Sequence, residues 1–428
     1  MQAPGPENKP IKNFLQYRKA PISFFQGVVD SYGPIAEINF FGKRVLLVSG
    51  PKEVEHVLGK AASRYQKGRT TQKLKAVMGK GLITNDGQEW RKQNQLIRKS
   101  FSVKKIQALV PLFQRHADEM TARINDKSEI DIVDELHHTG LNIMMDSLFQ
   151  VKEGKSTYPE LSEDIKFFLD FTVTLTRSLN PLKMLLPTKE KREFKRRLQR
   201  MDDYIHQIIN ERKEKVARGE EFDDLLSLLI TAESIEDFNL NQTRDEVVTL
   251  LMAGHETISN ALSFAMILIA KNPSWQERLL EDPEQAKNVF MESMRLYPPV
   301  WVFMREAIEE DTIGEVKVAR GTQVIVCPYY THRSSVYWED ALIFNPDRFK
   351  ESPRPNQGID GVRYYPFGHG PRICLGNHMA EVEASTILMT LVKSFEWSLT
   401  SPEAQEVNAG ITLSPKNNRQ IQLKKREG

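Results

Sequence analysis

Apolar and polar positions follow two different periods along this chain. Residues 35–41 (IAEINFF) and 44–49 (RVLLVS) are short runs of strand-forming residues around Gly42-Lys43, a pattern that predicts a β-hairpin. Runs at 311–330 and 409–424, broken by glycine turns, predict further small sheets. Residues 66–85 are expected to form a loop, and from about residue 87 to 299 apolar residues recur at helical spacing. The pattern predicts a mainly α protein with a smaller β-rich part.

One predicted helix is interrupted near its middle. Thr243–Glu246 has the residues of a capping box, and apolar residues continue from there to Ile269. Residues 253–257 (AGHET) place a glycine and three polar groups inside this apolar helix, and the glycine alone costs about 1 kcal/mol. The Thr257 hydroxyl can bond to the Ala253 carbonyl and open the helix locally. The interruption therefore indicates a functional turn rather than a solvated kink.

A glycine-rich stretch carries the second candidate for chemistry. Residues 367–376 (FGHGPRICLG) place Cys374 just ahead of a helical pattern over 377–395. Backbone N–H groups and the dipole at a helix start favour a thiolate, which is a strong ligand for soft metals. Composition alone favours an inert buried cysteine, but the spacing of the surrounding residues favours a metal ligand.

Length and composition narrow the class of protein. A chain of 428 residues exceeds the usual size of one hydrophobic core, so two or more lobes are expected. A net charge of +2 without a basic arm argues against nucleic-acid binding. Cys327, in an apolar strand-like run, and Cys374 cannot build a disulfide framework, which fits a reducing cytoplasm. No apolar stretch is long enough to span a membrane and no signal peptide is evident, so a soluble protein without a stable membrane anchor is expected.

The motifs resemble those of the cytochrome P450 family. The pattern Phe-x-x-Gly-x-Arg-x-Cys-x-Gly, filled at every fixed position within 367–376, resembles that family's haem-binding loop. Residues 253–257 resemble its oxygen-activation segment, Glu292 and Arg295 its Glu-x-x-Arg helix, and 346–349 (PDRF) its Pro-x-Arg-Phe segment. Because the motifs occur in the family's order, the resemblance covers nearly the whole chain.

The resemblance implies the cytochrome P450 fold as a single domain over 1–428, with haem between two lobes. The large helical lobe would comprise about 66–299 and 370–400, and the smaller β-rich lobe about 1–65, 300–335 and 405–425. A protein of soluble, bacterial, monomeric type is expected. Pro4-Gly5-Pro6 also resembles the hinge after the anchor of microsomal relatives, so an anchored natural form stays open.

The resemblance also implies roles for individual residues. Cys374 would be the axial ligand of haem b (iron protoporphyrin IX), with Glu256 as the acid and Thr257 as the hydroxyl of oxygen activation. The family's Trp-x-x-x-Arg pair departs from pattern here, because its second position is Asn94, which carries no charge. The residues expected to contact the haem are Trp90, Asn94, Arg305, Phe367, Arg372 and Gly376.

Two further groups follow from the resemblance. Glu292, Arg295 and Arg348 are expected to form a structural salt-bridge network behind the thiolate loop. The helices predicted over 161–179 and 190–218, with their connection, would roof an apolar substrate cavity, while the basic run 189–200 is expected to be solvated. The predicted pocket residues are Met78, Leu82, Phe171, Met252, Ala253, Val300, Trp301, Phe303 and Thr412.

The implied function is a haem-thiolate monooxygenase that inserts one atom of O2 into an apolar small molecule by hydroxylation or epoxidation. Electrons would come from a separate ferredoxin or flavodoxin with its reductase, docking on a basic surface at Lys92, Arg98 and Lys99. Three alternatives remain at this point: a peroxide-driven peroxygenase, an isomerase or dehydratase that needs no reductant, and a non-enzymatic haem sensor or carrier.

Overall fold

The structure is a computed structural model that describes residues 2–7, 9–151, 160–177, 188–234, 240–351, 355–356 and 360–427. The chain folds into two compact units. Unit 1 comprises 1–72, 264–377 and 404–417, and unit 2 comprises 73–263, 378–403 and 418–428. Residues 180–187 of the connection predicted over 180–189 lie outside the described residues. None of the helices in the described part of the chain combines the length and hydropathy needed to cross a membrane.

Helices dominate the described residues, which confirms the predicted mainly α class. In chain order they are α1 (Pro10–Lys19), α2 (Pro21–Tyr32), α3 (Pro51–Glu55), α4 (Arg69–Lys73), α5 (Lys75–Met78), α6 (Gly87–Ile97), α7 (Val103–Ala108), α8 (Val110–Ile124), α9 (Ile132–Phe149), α10 (Leu161–Thr176), α11 (Lys189–Ala217), α12 (Leu225–Ser234), α13 (Leu240–Lys271), α14 (Ser274–Glu281), α15 (Gln285–Leu296), α16 (Pro328–Thr331), α17 (Asp347–Glu351) and α18 (Asn377–Ser394).

The strands are short and form small sheets. They are β1 (Ile35–Phe40), β2 (Lys43–Val48), β3 (Tyr65–Lys67), β4 (Glu129–Asp131), β5 (Phe303–Ala307), β6 (Asp311–Ile313), β7 (Val316–Val318), β8 (Gln323–Val326), β9 (Phe395–Leu399), β10 (Val407–Ala409), β11 (Leu413–Pro415) and β12 (Gln420–Lys425).

Unit 1 is built on a five-stranded sheet with the order β1-β2-β8-β5-β3. The predicted hairpin is confirmed: β1 pairs antiparallel with β2, and Phe41 and Gly42 turn the chain with φ of 53° and 76°. β2 runs parallel to β8, and its residues from Val45 to Val48 are buried on both faces, as a central strand requires. Cys327 follows β8 and is fully buried, which confirms its predicted place in the core.

Unit 2 is largely helical, and α13 is its longest element. The part of α13 up to Ser263 belongs to this unit, together with the whole of α9. A three-stranded sheet of order β4-β12-β9 joins segments that are far apart in sequence. Asp131 begins α9 as its N-cap, because its carboxylate accepts the N–H groups of Val133 and Asp134 at 3.0 and 3.2 Å.

The capping box predicted at Thr243–Glu246 is wrong. Helix α13 begins at Leu240, so both residues lie inside it and are buried. The Thr243 hydroxyl donates to Glu233 at 3.2 Å, and Glu246 accepts the N–H of Leu82 at 3.0 Å. The side chains that imitate a cap therefore make tertiary contacts instead.

Other boundaries also differ from the sequence prediction. The supposed loop over 66–85 contains part of β3 and the short helices α4 and α5. The helix predicted to reach Phe101 ends at Ile97 and continues as a 3-10 turn, and α18 gives way to β9 at Phe395. Strand β5 begins only at Phe303. In each case the residues are compatible with two structures, and packing decides between them.

Candidate active site

The cysteine loop in unit 1 is held closed by its own backbone. The Cys374 N–H donates to the Phe367 carbonyl at 2.9 Å, and the Gly368 N–H donates to the Tyr365 carbonyl at 2.9 Å. Between them Gly370–Arg372 form one 3-10 turn. The loop is therefore a defined structure that presents the cysteine just before α18.

Gly370 is required by its surroundings as well as by its backbone. It has φ of 70°, and a Cβ there would lie 2.1 Å from the Leu58 carbonyl oxygen. Leu58 belongs to a π-helical turn, His56–Lys60, that continues α3. This supporting turn was not predicted, since its residues carry no recognisable signature of a π-helix.

Cys374 is exposed by its solvent-accessible surface, so a metal could reach its sulfur. The protein around the loop nevertheless desolvates the thiol and raises its pKa, while the N–H of Gly376 opposes that shift. The N–H at the helix start thus favours the thiolate, as expected, but desolvation of the sulfur outweighs this single N–H. Coordination to a metal would supply the missing stabilisation, because a metal-bound thiol is deprotonated.

The other predicted haem contacts of unit 1 are charged or apolar groups on this loop and on β5. Phe367, Arg372 and Gly376 are half-buried, and Arg305 is buried. Arg305 lies on β5, opposite Lys67 of β3 and Val324 of β8, and its Nη1 donates to the Met304 carbonyl at 3.1 Å. Unit 1 thus carries two guanidinium groups, one on β5 and one on the cysteine loop, and their chemistry suits an anionic ligand. Their contact with haem stays a prediction.

The predicted ionic network is assembled in unit 1. Glu292 and Arg295 are fully buried and form a bidentate pair at 2.7 and 2.8 Å. Arg348 donates its Nε to the same carboxylate at 3.2 Å, and the Asn345 N–H donates at 2.9 Å. Backbone carbonyls, among them that of His332 at 2.6 Å, satisfy the rest of Arg295. The network fixes α15 to the segment that ends in α17.

The turn at residues 253–257 lies in the part of α13 that belongs to unit 2. The Thr257 hydroxyl donates to the Ala253 carbonyl at 2.7 Å, which is the predicted contact. Ala253, Glu256 and Thr257 are half-buried, whereas His255 is only 1% exposed. The predicted local opening of the helix is wrong, because the helix remains continuous through this turn and the hydroxyl shares a carbonyl that the helix also uses. The acid and the hydroxyl are adjacent in sequence, and both residues are partly accessible.

Trp90 and Asn94 both lie on α6, one helical turn apart, and both are half-buried. Their shared face is consistent with a common ligand, and haem contact stays a prediction for both. Lys92, Arg98 and Lys99, in α6 and the turn that follows it, are exposed, as a docking surface requires.

The predicted pocket residues differ in burial. In unit 2, Met78 and Met252 are buried, Leu82 and Ala253 are half-buried, and the Phe171 ring lies 4.8 Å from that of Phe194.

In unit 1, Trp301 is part of the core: it is 2% exposed, and its indole N–H donates to the Gly410 carbonyl at 3.0 Å. Thr412 is also buried, while Val300 and Phe303 are half-buried. A substrate contact stays a prediction for all nine residues.

The basic run over 189–200 is not simply solvated. Arg197 and Arg200 both donate to Asp164, whose side chain is fully buried, at 2.7 and 2.8 Å. These ion pairs join α10 to α11. The sequence prediction missed them because Asp164 lies more than thirty residues away.

The site therefore consists of one accessible thiol on a glycine-rich loop of a mainly helical protein, and a thiolate in such a place can ligate a metal cofactor. The family model described as "Cytochrome P450" matches residues 3–422. The chain therefore belongs to the cytochrome P450 family.

Named relatives agree with this assignment. Protein LUTEIN DEFICIENT 5, chloroplastic, of Arabidopsis thaliana is 28% identical over 92% of this chain and 73% of its own length. Cytokinin hydroxylase of Arabidopsis thaliana is also 28% identical, over 82% of this chain and 74% of its own length. Putative cytochrome P450 132 of Mycobacterium bovis is 26% identical over 88% of this chain and 87% of its own length.

Among solved structures, the crystal structure of CYP175A1 from Thermus thermophilus superposes with a TM-score of 0.80. It is 24% identical and the match covers 99% of this chain and 100% of that one, which shows the shared fold. The predicted fold class is thus confirmed.

Family and fold establish a haem-containing P450 monooxygenase that uses O2, a small-molecule substrate and redox partners. This excludes the non-enzymatic sensor or carrier. The donor set of the loop fits such a cofactor, because Cys374 offers one accessible sulfur and a macrocycle supplies the other ligands of the iron.

Proposed function

We propose that this protein inserts one atom of O2 into an apolar small molecule, by hydroxylation or epoxidation, with electrons from a separate ferredoxin or flavodoxin and its reductase. The observation that carries the proposal is the 2.7 Å bond from the Thr257 hydroxyl to the Ala253 carbonyl, with Glu256 alongside. A peroxide-driven enzyme or an isomerase has no need of a hydroxyl and an acid that deliver protons to reduced oxygen.

Cys374 is the residue proposed to hold the haem iron, with Arg372, Arg305, Trp90 and Asn94 at the propionates. Haem held by the Cys374 sulfur would supply the chemistry of O–O cleavage. The absence of an arginine at position 94 shifts the binding of propionate charge towards Arg372 and Arg305, which lie in unit 1.

Glu256 and Thr257 are proposed to hold and move protons. A hydroxyl can accept one hydrogen bond while donating another, so Thr257 can pass a proton on without changing its own charge. Glu256 is the group beside it that can take up a proton from solvent and release it. Their half-buried position suits both tasks, because it limits water without excluding it.

The substrate is proposed to be apolar, because most of the predicted pocket residues are aliphatic or aromatic. Fatty acids, terpenoids, steroids and hydrophobic aromatic compounds fit this description, and the name of one relative adds cytokinins as candidates for hydroxylation. Spin-state changes of the haem over such a panel would identify the compounds that bind.

The experiment that tests the proposal replaces Thr257 with alanine. The variant should retain haem but lose coupling, the fraction of consumed electrons that appears in product, with the remainder released as hydrogen peroxide. Ser263→Ala is the matched control, because Ser263 lies on the same helix and makes the same type of bond, to the Ser259 carbonyl at 2.7 Å. Equal coupling in Thr257→Ala and the unmodified enzyme would contradict the relay.

A second comparison separates the enzymatic alternatives. Product should form with NAD(P)H, ferredoxin and reductase, and its rate should fall as ionic strength rises if Lys92, Arg98 and Lys99 dock the carrier. Faster turnover with peroxide alone would favour the peroxygenase, and turnover without any oxidant or reductant would favour the isomerase or dehydratase.

A further inference from the structure

Helix α13 packs against α9 around residues 253–259. A Cβ on Gly254 would lie 2.2 Å from the Met144 Cε, and one on Gly140 would lie 2.7 Å from the Ser259 hydroxyl. A larger residue at either glycine would require the Met144 or Ser259 side chain to move, so the two glycines leave room for these side chains between α9 and α13. Both contacts flank the position of His255 on α13.

His255 makes a hydrogen bond between α13 and α9. Its Nε2 lies 3.0 Å from the His137 carbonyl oxygen of α9. A carbonyl only accepts hydrogen bonds, so Nε2 carries the proton. The same nitrogen lies 3.5 Å from the Ser162 hydroxyl at the start of α10. One imidazole of α13 thus contacts two neighbouring helices, α9 and α10, while it is almost completely buried.

The imidazole is neutral in this position. Burial, followed by the neighbouring His137, lowers the pKa of His255 to about 3. Its Nδ1 is buried and makes no hydrogen bond within the described ranges, so a second proton would create a buried charge. The Nε2–H donor is therefore present across the working pH range.

Two more polar contacts join α13 to α9. The Ser259 hydroxyl lies 3.1 Å from the Leu136 carbonyl, and the His137 Nε2 lies 3.2 Å from the Asn260 Oδ1. Both of these attach α13 on the C-terminal side of the turn. Among these contacts, His255 alone lies within the turn that carries Glu256 and Thr257.

We propose that His255 is a positioning residue for oxygen activation, which anchors the turn Ala253–Thr257 to α9 so that the Thr257 hydroxyl stays on the Ala253 carbonyl. The inference rests on the proposed relay role of Glu256 and Thr257. An α13 turn without this anchor can rotate or tighten, and the hydroxyl then samples positions where it cannot pass a proton. His255 itself transfers no proton.

Three variants of the haem-loaded enzyme test the role. His255→Leu removes the donor and keeps most of the volume, whereas His255→Gln places an amide N–H near the position of Nε2. His138→Gln is the control, because His138 is an exposed histidine on α9 itself. Hydrogen exchange of the amides in 253–257 reports on the anchor without turnover, and coupling reports on its consequence.

His255→Leu should show about fivefold faster exchange in 253–257, which corresponds to about 1 kcal/mol, the usual contribution of one hydrogen bond. Its coupling should fall towards that of Thr257→Ala, and the double variant should be no worse than Thr257→Ala alone. His255→Gln should restore most of both properties, and His138→Gln should change neither.

Normal coupling in a folded His255→Leu enzyme, together with uncoupled Thr257→Ala, would overturn the positioning role and leave the proposed function intact. Normal coupling in Thr257→Ala would instead refute the proposed relay itself. If His255→Leu does not fold, a comparison of His255→Asn with His255→Gln tests the role instead, because only the longer glutamine side chain reaches the His137 carbonyl. Equal exchange and coupling in those two variants would also overturn the proposal.

Discussion

Replacing Glu292 with glutamine should destabilise unit 1 far more than an ordinary surface change. The substitution keeps the side-chain volume but removes a carboxylate. Within the described part of the chain, this is the only carboxylate that pairs with Arg295 and Arg348, and the Arg295 side chain is fully buried. Backbone carbonyls solvate part of both guanidinium groups but supply no negative charge. Breaking a buried pair in this way costs about 3 to 5 kcal/mol. That is a large part of the stability of a typical domain, about 5 to 15 kcal/mol.

The assay compares urea unfolding midpoints and haem-loss rates with a matched exposed pair. Arg278 and Asp347 form an ion pair at 2.6 Å in the same region, with side chains 40% and 32% exposed. Such pairs contribute about 0 to 1 kcal/mol, so Asp347→Asn should shift the midpoint only slightly. Equal shifts in Glu292→Gln and Asp347→Asn would refute the assignment of the buried network to folding.

Two other predictions concern the cysteine loop and the helix that follows it. Gly370→Ala should lower the free energy of unfolding by several kcal/mol and speed the loss of haem, because the new Cβ would clash with the Leu58 carbonyl. Gly321 has φ of 84° in open space, so Gly321→Ala should cost only about 1 kcal/mol. Equal losses in the two variants would contradict the support role of the π-helical turn. Burial raises the pKa of Glu383 to about 8, so the folded state keeps a proton that the unfolded state loses near pH 4.5. The free energy of unfolding should therefore fall as pH rises from the unfolded pKa towards 8, by at most about 1.4 kcal/mol per pH unit. Urea titrations should show that Glu383→Gln removes this decline and that Glu381→Gln does not.

The elements that sequence predicted best are those fixed by neighbouring residues. The β1-β2 hairpin, the Thr257 contact within one helical turn and the Glu292–Arg295 pair at i and i+3 each depend on short separations. Their geometry follows from the periods of strand and helix. The motif residues of the candidate site could be named because their patterns within 253–257 and 367–376 resemble those of the cytochrome P450 family.

Apart from the Glu292–Arg348 contact, which the family resemblance implied, contacts between distant segments could not be predicted. Gly370 packs against Leu58, which is over three hundred residues away in sequence. Asp164 forms ion pairs with Arg197 and Arg200 of the next helix. Thr243 and Glu246 have the chemistry of a cap, and only packing reveals that they bind other segments. His255 likewise shows its partner only once α9 and α13 are placed side by side.

The central claim is that Cys374 holds the haem iron. The absorption spectrum of the reduced, CO-bound protein tests it most directly, because a thiolate ligand moves the Soret band to long wavelength. The unmodified protein and Cys327→Ala, which changes the buried cysteine, should both show the thiolate band, while Cys374→Ser should lose it together with monooxygenase activity. A thiolate band that persists in Cys374→Ser, or a spectrum of histidine ligation in the unmodified protein, would contradict the account.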